Sequence, residues 1–125
     1  MESGVAEMRE KDRKLLRRKL DVEMCPFRRA AREPISTDGL LRAVREALRI
    51  PLAEILEKSG AERSTVHDFE RRELKRTITL KSLGRIAEAM GCKVVYGIVP
   101  LNGKTFEYVA EERLWKKVLG TGSSQ

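Results

Sequence analysis

The sequence predicts a mainly α-helical protein with one short β-strand near its C-terminal end. Apolar residues make up 41% of the 125 residues, charged residues 36% and aromatic residues only 5%, so the core should be aliphatic and helical. Within residues 36–91 apolar residues recur three and four positions apart, and a β-branched run comes after Gly91. The expected architecture is a helical bundle with an N-terminal helical arm, one dimer-forming strand and a C-terminal helix.

Residues 1–35 are predicted to form a charged helix and a linker. From Ala6 to Val22 the apolar residues have a spacing that suits a one-sided helix, namely Met8, Leu15, Leu16 and Leu20. Pro26 and Pro34 interrupt the next segment, so residues 25–35 should form an irregular linker anchored by Phe27. The basic RRKL and FRRAAR stretches are either solvated surface or an arm that contacts phosphates.

Residues 36–91 have the pattern of four helices. The first should be capped by Ser36, Thr37 or Asp38 and should bury the apolar face that contains Leu41 and Val44. The second should be short, with Pro51 in its first turn, Leu52, Ile55 and Leu56 as its apolar residues, and Gly60 at its end.

The third and fourth helices differ in how much apolar surface they carry. The third covers about residues 62–73, and Val66 and Phe69 are its only strongly apolar members. Most of its surface should therefore face outward. The fourth begins after Thr79, ends at Gly91 and has the clearest helical periodicity of the chain, formed by Leu80, Leu83, Ile86, Ala87 and Met90.

Residues 92–119 are predicted to form a strand and a last helix. The run CKVVYGIV is rich in β-branched residues and has no partner strand elsewhere in the chain. We therefore expect it to pair with a second subunit through Val94, Val95, Tyr96, Ile98 and Val99. Asn102 and Gly103 should turn the chain. The last helix, residues 104–119, should point Phe106, Val109, Ala110, Leu114 and Val118 inward, and residues 120–125 should be disordered.

Composition argues against several classes of function. One His and two isolated Cys give no zinc-binding spacing and no catalytic triad, so neither an enzyme nor a metal or cofactor site is expected. No apolar run is long enough for a membrane span, and the first residues lack a secretory pattern. The protein should be cytoplasmic, with Cys25 and Cys92 as reduced thiols.

Two short helices joined at Gly60, the second poor in apolar residues, have the pattern of a helix-turn-helix. In this motif a few apolar contacts hold the second helix while its outer face enters the major groove of DNA. Arg63 can donate two hydrogen bonds to guanine, and a basic cluster suited to phosphates lies C-terminal to it. The candidate DNA-binding residues are Arg63, Ser64, Thr65, His67, Asp68, Arg71, Arg72, Lys75 and Arg76.

Some of these residues also have a purely structural interpretation. Arg71 and Arg72 can pair with acidic residues of the same helix, such as Asp68. Glu70 is more consistent with holding an arginine, such as Arg45, than with contacting DNA.

The stretch LLRAVREALRIPLAEILEKSGAERSTVHDFERRE and the subsequent TITLKSLGRIAEAMG resemble the helix-turn-helix domains of the phage-repressor-like XRE family, over roughly residues 38–91. The resemblance implies a four- to five-helix bundle of the XRE helix-turn-helix type, whose third helix reads DNA. The upstream LDVEMCPFRRAAREP and the ERRELKRTITLKSLGRIAEAMGCKVVYGIVP run extend it to the mobile mystery protein A subfamily. Members of that subfamily accompany a Fic-type protein, which implies an antitoxin-like or autoregulatory role. Unlike the family pattern, this chain has Glu62, Arg63 and His67 at the recognition helix.

These observations together predict a sequence-specific transcriptional regulator of the XRE type, a homodimer that binds double-stranded DNA with dyad symmetry and regulates its own gene. The alternative is an antitoxin-like protein-binding module that neutralises or scaffolds a Fic-type partner enzyme. In that case the N-terminal or the C-terminal helix would dock on the partner. The acidic side chains of Glu54, Glu62 and Asp68 on the DNA side favour this alternative.

Overall fold

The computed structural model describes residues 8–33 and 35–120. The protein is mainly helical, as predicted, and the described residues form no β-strand. The chain divides into two compact units, one made of residues 35–95 and the other of the segments before and after it. The helices are α1 (Glu10–Glu23), α2 (Cys25–Arg32), α3 (Leu40–Ala47), α4 (Leu52–Ser59), α5 (Arg63–Leu74), α6 (Leu80–Ala89) and α7 (Phe106–Leu119).

The core of the 35–95 unit lies between helices α3 to α6. Each of the four helices contributes to it, because each has apolar residues at helical spacing on its inner face. Ile55 and Val66 have no exposed surface and Ile86 has 1%. The buried cluster consists of Leu41, Ile55, Val66, Ile86, Ala89 and Met90. The four helices predicted for residues 36–91 are thus confirmed.

Two of the predicted helix ends are also confirmed. Gly60 ends α4 in the left-handed region, with φ of 72°, where a side chain would be strained. The hydroxyl of Thr79 accepts the backbone N–H of Ser82 at 3.0 Å and so caps α6.

The predicted cap of α3 is wrong. Gly39, with φ of 70°, stands at the cap position, and none of Ser36, Thr37 or Asp38 accepts a hydrogen bond from the helix. The carboxylate of Glu73 in α5 accepts the N–H of Leu40 at 2.9 Å and that of Leu41 at 2.8 Å. The first N–H groups of a helix require hydrogen-bond acceptors, which can come from a distant part of the chain as well as from the preceding residues. Here a side chain of α5 provides them.

In the second unit, α1 pairs with α7 through polar contacts. Arg17 Nε donates to Glu107 Oε1 at 2.8 Å, and this hydrogen bond raises the pKa of Arg17. The carboxylate of Asp21 accepts the N–H of Phe106 at 2.7 Å and that of Glu107 at 3.2 Å. No side chain of α1, α2 or α7 is buried. This unit therefore lacks the enclosed apolar core that residues 35–95 have.

The linker predicted for residues 25–35 is helical over Cys25–Arg32. Pro26 lies in the first turn of α2, where its missing N–H interrupts no helical hydrogen bond. The half-buried ring of Phe27 lies against Gly97, since a Cβ at Gly97 would come within 2.5 Å of Phe27 Cγ. Phe27 is thus an anchor, as expected, although it belongs to a helix.

The prediction of a β-strand at residues 92–99 is wrong, since the structure describes no strand there. No backbone hydrogen bond joins residues 93–99 to another part of the described chain. β-branched residues favour an extended backbone, but a strand also requires a neighbour, and no described segment provides one. A single chain therefore leaves this segment without a sheet.

Helix α7 buries less than predicted. Phe106, Val109 and Ala110 are half-buried, whereas Leu114 is 60% exposed and Val118 67%. Helix α1 alone packs along α7 in this unit, and one neighbour covers only a narrow strip of a helix. The predicted helix at residues 6 and 7 and the tail at 121–125 lie outside the described residues. None of the described helices is both long and apolar enough to cross a membrane.

Candidate nucleic-acid interface

The candidate interface is built by α4, the turn Gly60–Glu62 and α5. Gly60 donates its N–H to the Leu56 carbonyl at 2.9 Å, and Ala61 donates to Ser59 Oγ at 3.1 Å. The carbonyl of Glu62 then accepts the first N–H groups of α5. These hydrogen bonds fix the angle at which α5 leaves the turn, so that its direction is set by the backbone.

Few side chains hold α5 on the core. Val66 is fully buried, and Phe69 packs partly buried against the same cluster, as the sequence predicted. Glu70 is the only other side chain of α5 that is buried. Most of the α5 surface consequently faces solvent, which is what a helix that enters a groove requires.

The carboxylate of Glu70 forms a bidentate pair with Arg45 of α3. Arg45 Nε donates to Oε2 at 2.7 Å and Nη2 to Oε1 at 3.1 Å, with both side chains at least 84% shielded from solvent. The hydrogen bond to Glu70 raises the pKa of Arg45, although burial opposes the rise. The structural interpretation of Glu70 is thus confirmed, and this pair fixes the rotation of α5 about its axis.

The predicted site residues lie on the outer face and at the two ends of α5. Arg63 and Ser64 are exposed in its first turn, and Thr65 is half-buried beside them. His67 is half-exposed, with Nδ1 at 3.8 Å from Glu70 Oε1. His67 thus lies beside the Arg45–Glu70 pair, whereas Arg63 and Ser64 are exposed to solvent.

Asp68 lies between the two arginines of the outer face. Its carboxylate oxygens are 2.8 Å from Arg71 Nη2 and 2.8 Å from Arg72 Nε. The arginine side chains are 62% and 54% exposed, so these are surface ion pairs that a phosphate can replace. Asp68 therefore orients Arg71 and Arg72, and its own contact with DNA stays a prediction.

Two further basic residues lie just beyond the end of α5. Lys75 and Arg76 are exposed, and Arg76 adopts a left-handed backbone with φ of 60°. This conformation closes the helix through hydrogen bonds from Arg76 to the Glu73 carbonyl and from Thr77 to the Arg72 carbonyl. Glycine is the residue that normally occupies such a position, because a Cβ there costs energy. In this chain the position is occupied by Arg76.

Comparison of the chain with protein family models, with curated proteins and with solved structures gives no match.

The geometry of α5 determines what the surface can bind. Five exposed basic side chains stand at the start of α5, in its last turns and just beyond its end, over about three and a half helical turns, namely Arg63, Arg71, Arg72, Lys75 and Arg76. Such a group of cations can bind a polyanion, and the guanidinium at the helix start has the donors to read a base.

The acidic residues near the helix-turn-helix are partly neutralised. Glu54 lies 3.0 Å from Lys58, one turn along α4, and Asp68 is shared by two arginines. Glu62 is exposed at the start of α5 and forms no side-chain cap. Of the three acids that favour the alternative function, Glu62 is the one whose charge no described side chain offsets.

Two residues that position the site were not among the predicted ones. Glu73 caps α3, and Arg85 of α6 donates from Nε to the Ser59 carbonyl at 3.1 Å. The absence of a capping side chain at Gly39 is the one sequence signal that points to a distant acceptor such as Glu73. No local pattern indicates Arg85, since a surface arginine on a helix has no distinctive spacing.

The residues predicted for dimerisation are accessible but lack a strand. Val95, Tyr96 and Ile98 are exposed, whereas Val94 and Val99 are half-buried. Their contact with a second subunit stays a prediction.

Proposed function

We propose that this protein is a helix-turn-helix DNA-binding regulator that acts on a site near its own gene. The observation that carries the proposal is the surface of α5, where exposed basic side chains occupy a helix held by Val66, Phe69 and the Arg45–Glu70 pair. The resemblance to XRE-type domains supports the same interpretation. The surplus of basic over acidic residues, 26 against 19, favours association with a polyanion.

Each part of the surface has its own role in the proposal. Arg63 reads a base, because it stands in the first turn and no carboxylate in the described chain holds it. Lys75 and Arg76 contact phosphates at the other end of α5, and Arg71 and Arg72 exchange Asp68 for phosphate oxygens on binding. A homodimer would present two such helices about 34 Å apart, one turn of DNA.

Fluorescence anisotropy on the duplex upstream of the gene, compared with a scrambled duplex, tests the proposal. Specific binding that persists at physiological salt supports it, whereas equal, salt-sensitive binding to both duplexes contradicts it. Arg63→Ala should lose about 1 to 3 kcal/mol of discrimination between the duplexes. Lys75→Ala should weaken both alike and lower the salt slope by about one unit. Lys93→Ala, an exposed lysine outside α5, is the matched control.

A second candidate function is an antitoxin-like module that binds a Fic-type enzyme. The observation that favours it is on α1, where Leu15 and Val22 are 55% and 75% exposed and lie seven residues apart on one face. An exposed apolar stripe of this kind fits a groove on another protein. The Fic-type nature of the partner comes only from the resemblance.

Co-purification with the product of the adjacent gene separates the two functions. If α1 docks on that product, Leu15→Glu should abolish a stable complex, while Leu48→Glu, an equally exposed leucine of the 35–95 unit, should preserve it. A complex that survives Leu15→Glu excludes α1 as the docking surface.

A further inference from the structure

We propose that the outer face of α7 is a dimer interface, on which α7 of a second copy of this chain packs in antiparallel orientation. The unit formed by α1, α2 and α7 has no buried side chain, yet large apolar residues of α7 remain exposed. A helical unit without a core requires a further apolar surface for stability. A second copy is the one partner that is always present with the chain.

The exposed apolar residues of α7 have the spacing of a helix-packing stripe. Tyr108, Trp115 and Leu119 are 44%, 63% and 65% exposed, and with Glu112 they recur at intervals of four, three and four residues. At about 100° per residue these positions lie on one face, turned away from Ala110, which is half-buried on the side of α1. This spacing is that of the seam between two packed helices.

The charges of α7 identify a second copy as the occupant. Acidic residues stand in its first half and basic residues in its second half, in the order Glu107, Glu111, Glu112, Arg113, Lys116 and Lys117. The helix dipole accounts for such a distribution in the first and last turns, but not for the residues in the middle. Two copies related by a two-fold axis and running antiparallel place each acidic half against the basic half of the other.

One register satisfies the apolar and the charged residues together. With Tyr108 against Leu119 of the second copy, Glu112 lies against Trp115 and next to Lys116, on the same flank of the interface. Glu112 and Lys116 form no ion pair with other described residues, so both are available for this contact. The same contact occurs twice, because the interface is isologous.

Sedimentation equilibrium of the full chain with charge-reversed variants tests the register. Glu112→Lys and Lys116→Glu should each weaken the dimer, roughly tenfold in the dissociation constant, because each places like charges together at two symmetric positions. The double variant should return the dissociation constant to within about threefold of the original. Two single effects that persist in the double variant overturn the proposed register.

A single apolar substitution tests the location of the interface. Leu119→Glu should raise the dissociation constant at least about a hundredfold, while Leu48→Glu in the 35–95 unit should leave it unchanged. Ile98→Asp tests in the same assay whether residues 94–99 form the dimer interface. If Ile98→Asp gives monomers and Leu119→Glu does not, α7 is not the interface.

The fluorescence of Trp115 provides an independent readout, since it is the only tryptophan of the chain. Its emission should shift to longer wavelength on dilution, in parallel with the loss of dimer mass. A dimer that persists while Trp115 emits as a fully hydrated indole overturns the proposal. Neither measurement involves DNA, so the outcome is independent of the proposed function.

Discussion

The carboxylate of Glu73 in α5 lies 2.8 Å from the backbone nitrogen of Leu41, the second residue of α3. Its other oxygen accepts the N–H of Leu40 at 2.9 Å. A negative charge at a helix N-terminus also interacts favourably with the helix dipole. One side chain therefore connects the candidate DNA-binding helix to the first helix of its bundle.

Removal of this cap should destabilise the 35–95 unit. Glu73→Ala leaves two N–H groups without their acceptor and should lower the free energy of unfolding by about 1 to 2 kcal/mol. Asp38→Ala, an exposed acid beside the same helix start, should change it by less than about 0.5 kcal/mol. Urea denaturation followed by circular dichroism measures both. Equal effects of the two substitutions would contradict the assigned cap.

The Arg45–Glu70 pair should respond differently to single and double substitution. Glu70→Leu leaves the Arg45 guanidinium shielded and unpaired and should cost roughly 2 to 4 kcal/mol of unfolding free energy. Arg45→Met combined with Glu70→Leu removes both charges and should recover most of this loss. The same urea titrations provide the comparison, and additive losses would mean that the two side chains do not act as a pair.

Asp68 should restrain the DNA affinity of α5. Asp68→Asn removes the carboxylate that holds Arg71 and Arg72, so both guanidinium groups become free for phosphates. We expect tighter binding to specific and scrambled duplexes alike and a steeper salt dependence in anisotropy titrations. Glu46→Gln, which removes an exposed carboxylate paired with Arg42 on α3, is the control. Weaker binding by Asp68→Asn would show that Asp68 contacts DNA directly.

Arg76 and Arg49 both adopt a left-handed backbone conformation, so substitutions at the two positions can be compared directly. Arg76 has φ of 60° and Arg49 φ of 54°, and glycine relieves the strain at either position. Both Arg76→Gly and Arg49→Gly should raise the free energy of unfolding by about 0.5 to 1 kcal/mol. Only Arg76→Gly should weaken DNA binding, because only Arg76 adjoins the end of α5. An equal loss of affinity in both variants would mean that Arg76 contributes to DNA binding only through the net charge of the protein.

Two glycines should respond to alanine in opposite directions. At Gly97 the new methyl group would lie 2.5 Å from Phe27 Cγ, so Gly97→Ala should destabilise the protein by about 1 to 3 kcal/mol. At Gly84, inside α6, no atom outside the adjoining backbone of the helix lies within 4 Å of the added Cβ, and Gly84→Ala should stabilise the protein by up to about 1 kcal/mol. Thermal unfolding distinguishes the two signs. A neutral Gly97→Ala would mean that the Phe27 ring moves aside at little cost.

The sequence predicted the bundle of residues 35–95 well, because the relevant signals are local. The spacing of Leu41, Ile55, Val66 and Ile86 identifies the buried faces, and Gly60 marks a helix end through its own backbone preference. Prediction failed for segments whose structure depends on contact with a distant part of the chain. The β-branched run at residues 92–99 met no second strand, and the inward face assigned to α7 was covered along only part of its length.

For the candidate site, the sequence predicted the exposure of the basic side chains and the Arg45–Glu70 pair, and it left the partners of Arg71 and Arg72 open. A helix with few strongly apolar residues exposes most of its polar ones, so the sequence identifies Arg63 and Arg71, and Lys75 just beyond the helix, as surface groups. For Arg71 and Arg72, however, Asp68, Glu70 and Glu73 were all within helical reach. The structure assigns Asp68 to both arginines, Glu70 to Arg45 and Glu73 to the start of α3.

The sequence by itself determined a helical protein, the approximate spans of the four helices between residues 35 and 95, and the exposure of the basic side chains of α5. These properties arise from apolar spacing and from backbone preferences at helix ends, which act over a few residues. Only the tertiary structure decided the partners of Glu73 and Asp21, which cap helices 32 or more positions away along the chain. A carboxylate binds whichever N–H groups the fold places beside it, and that proximity is a property of the packed helices.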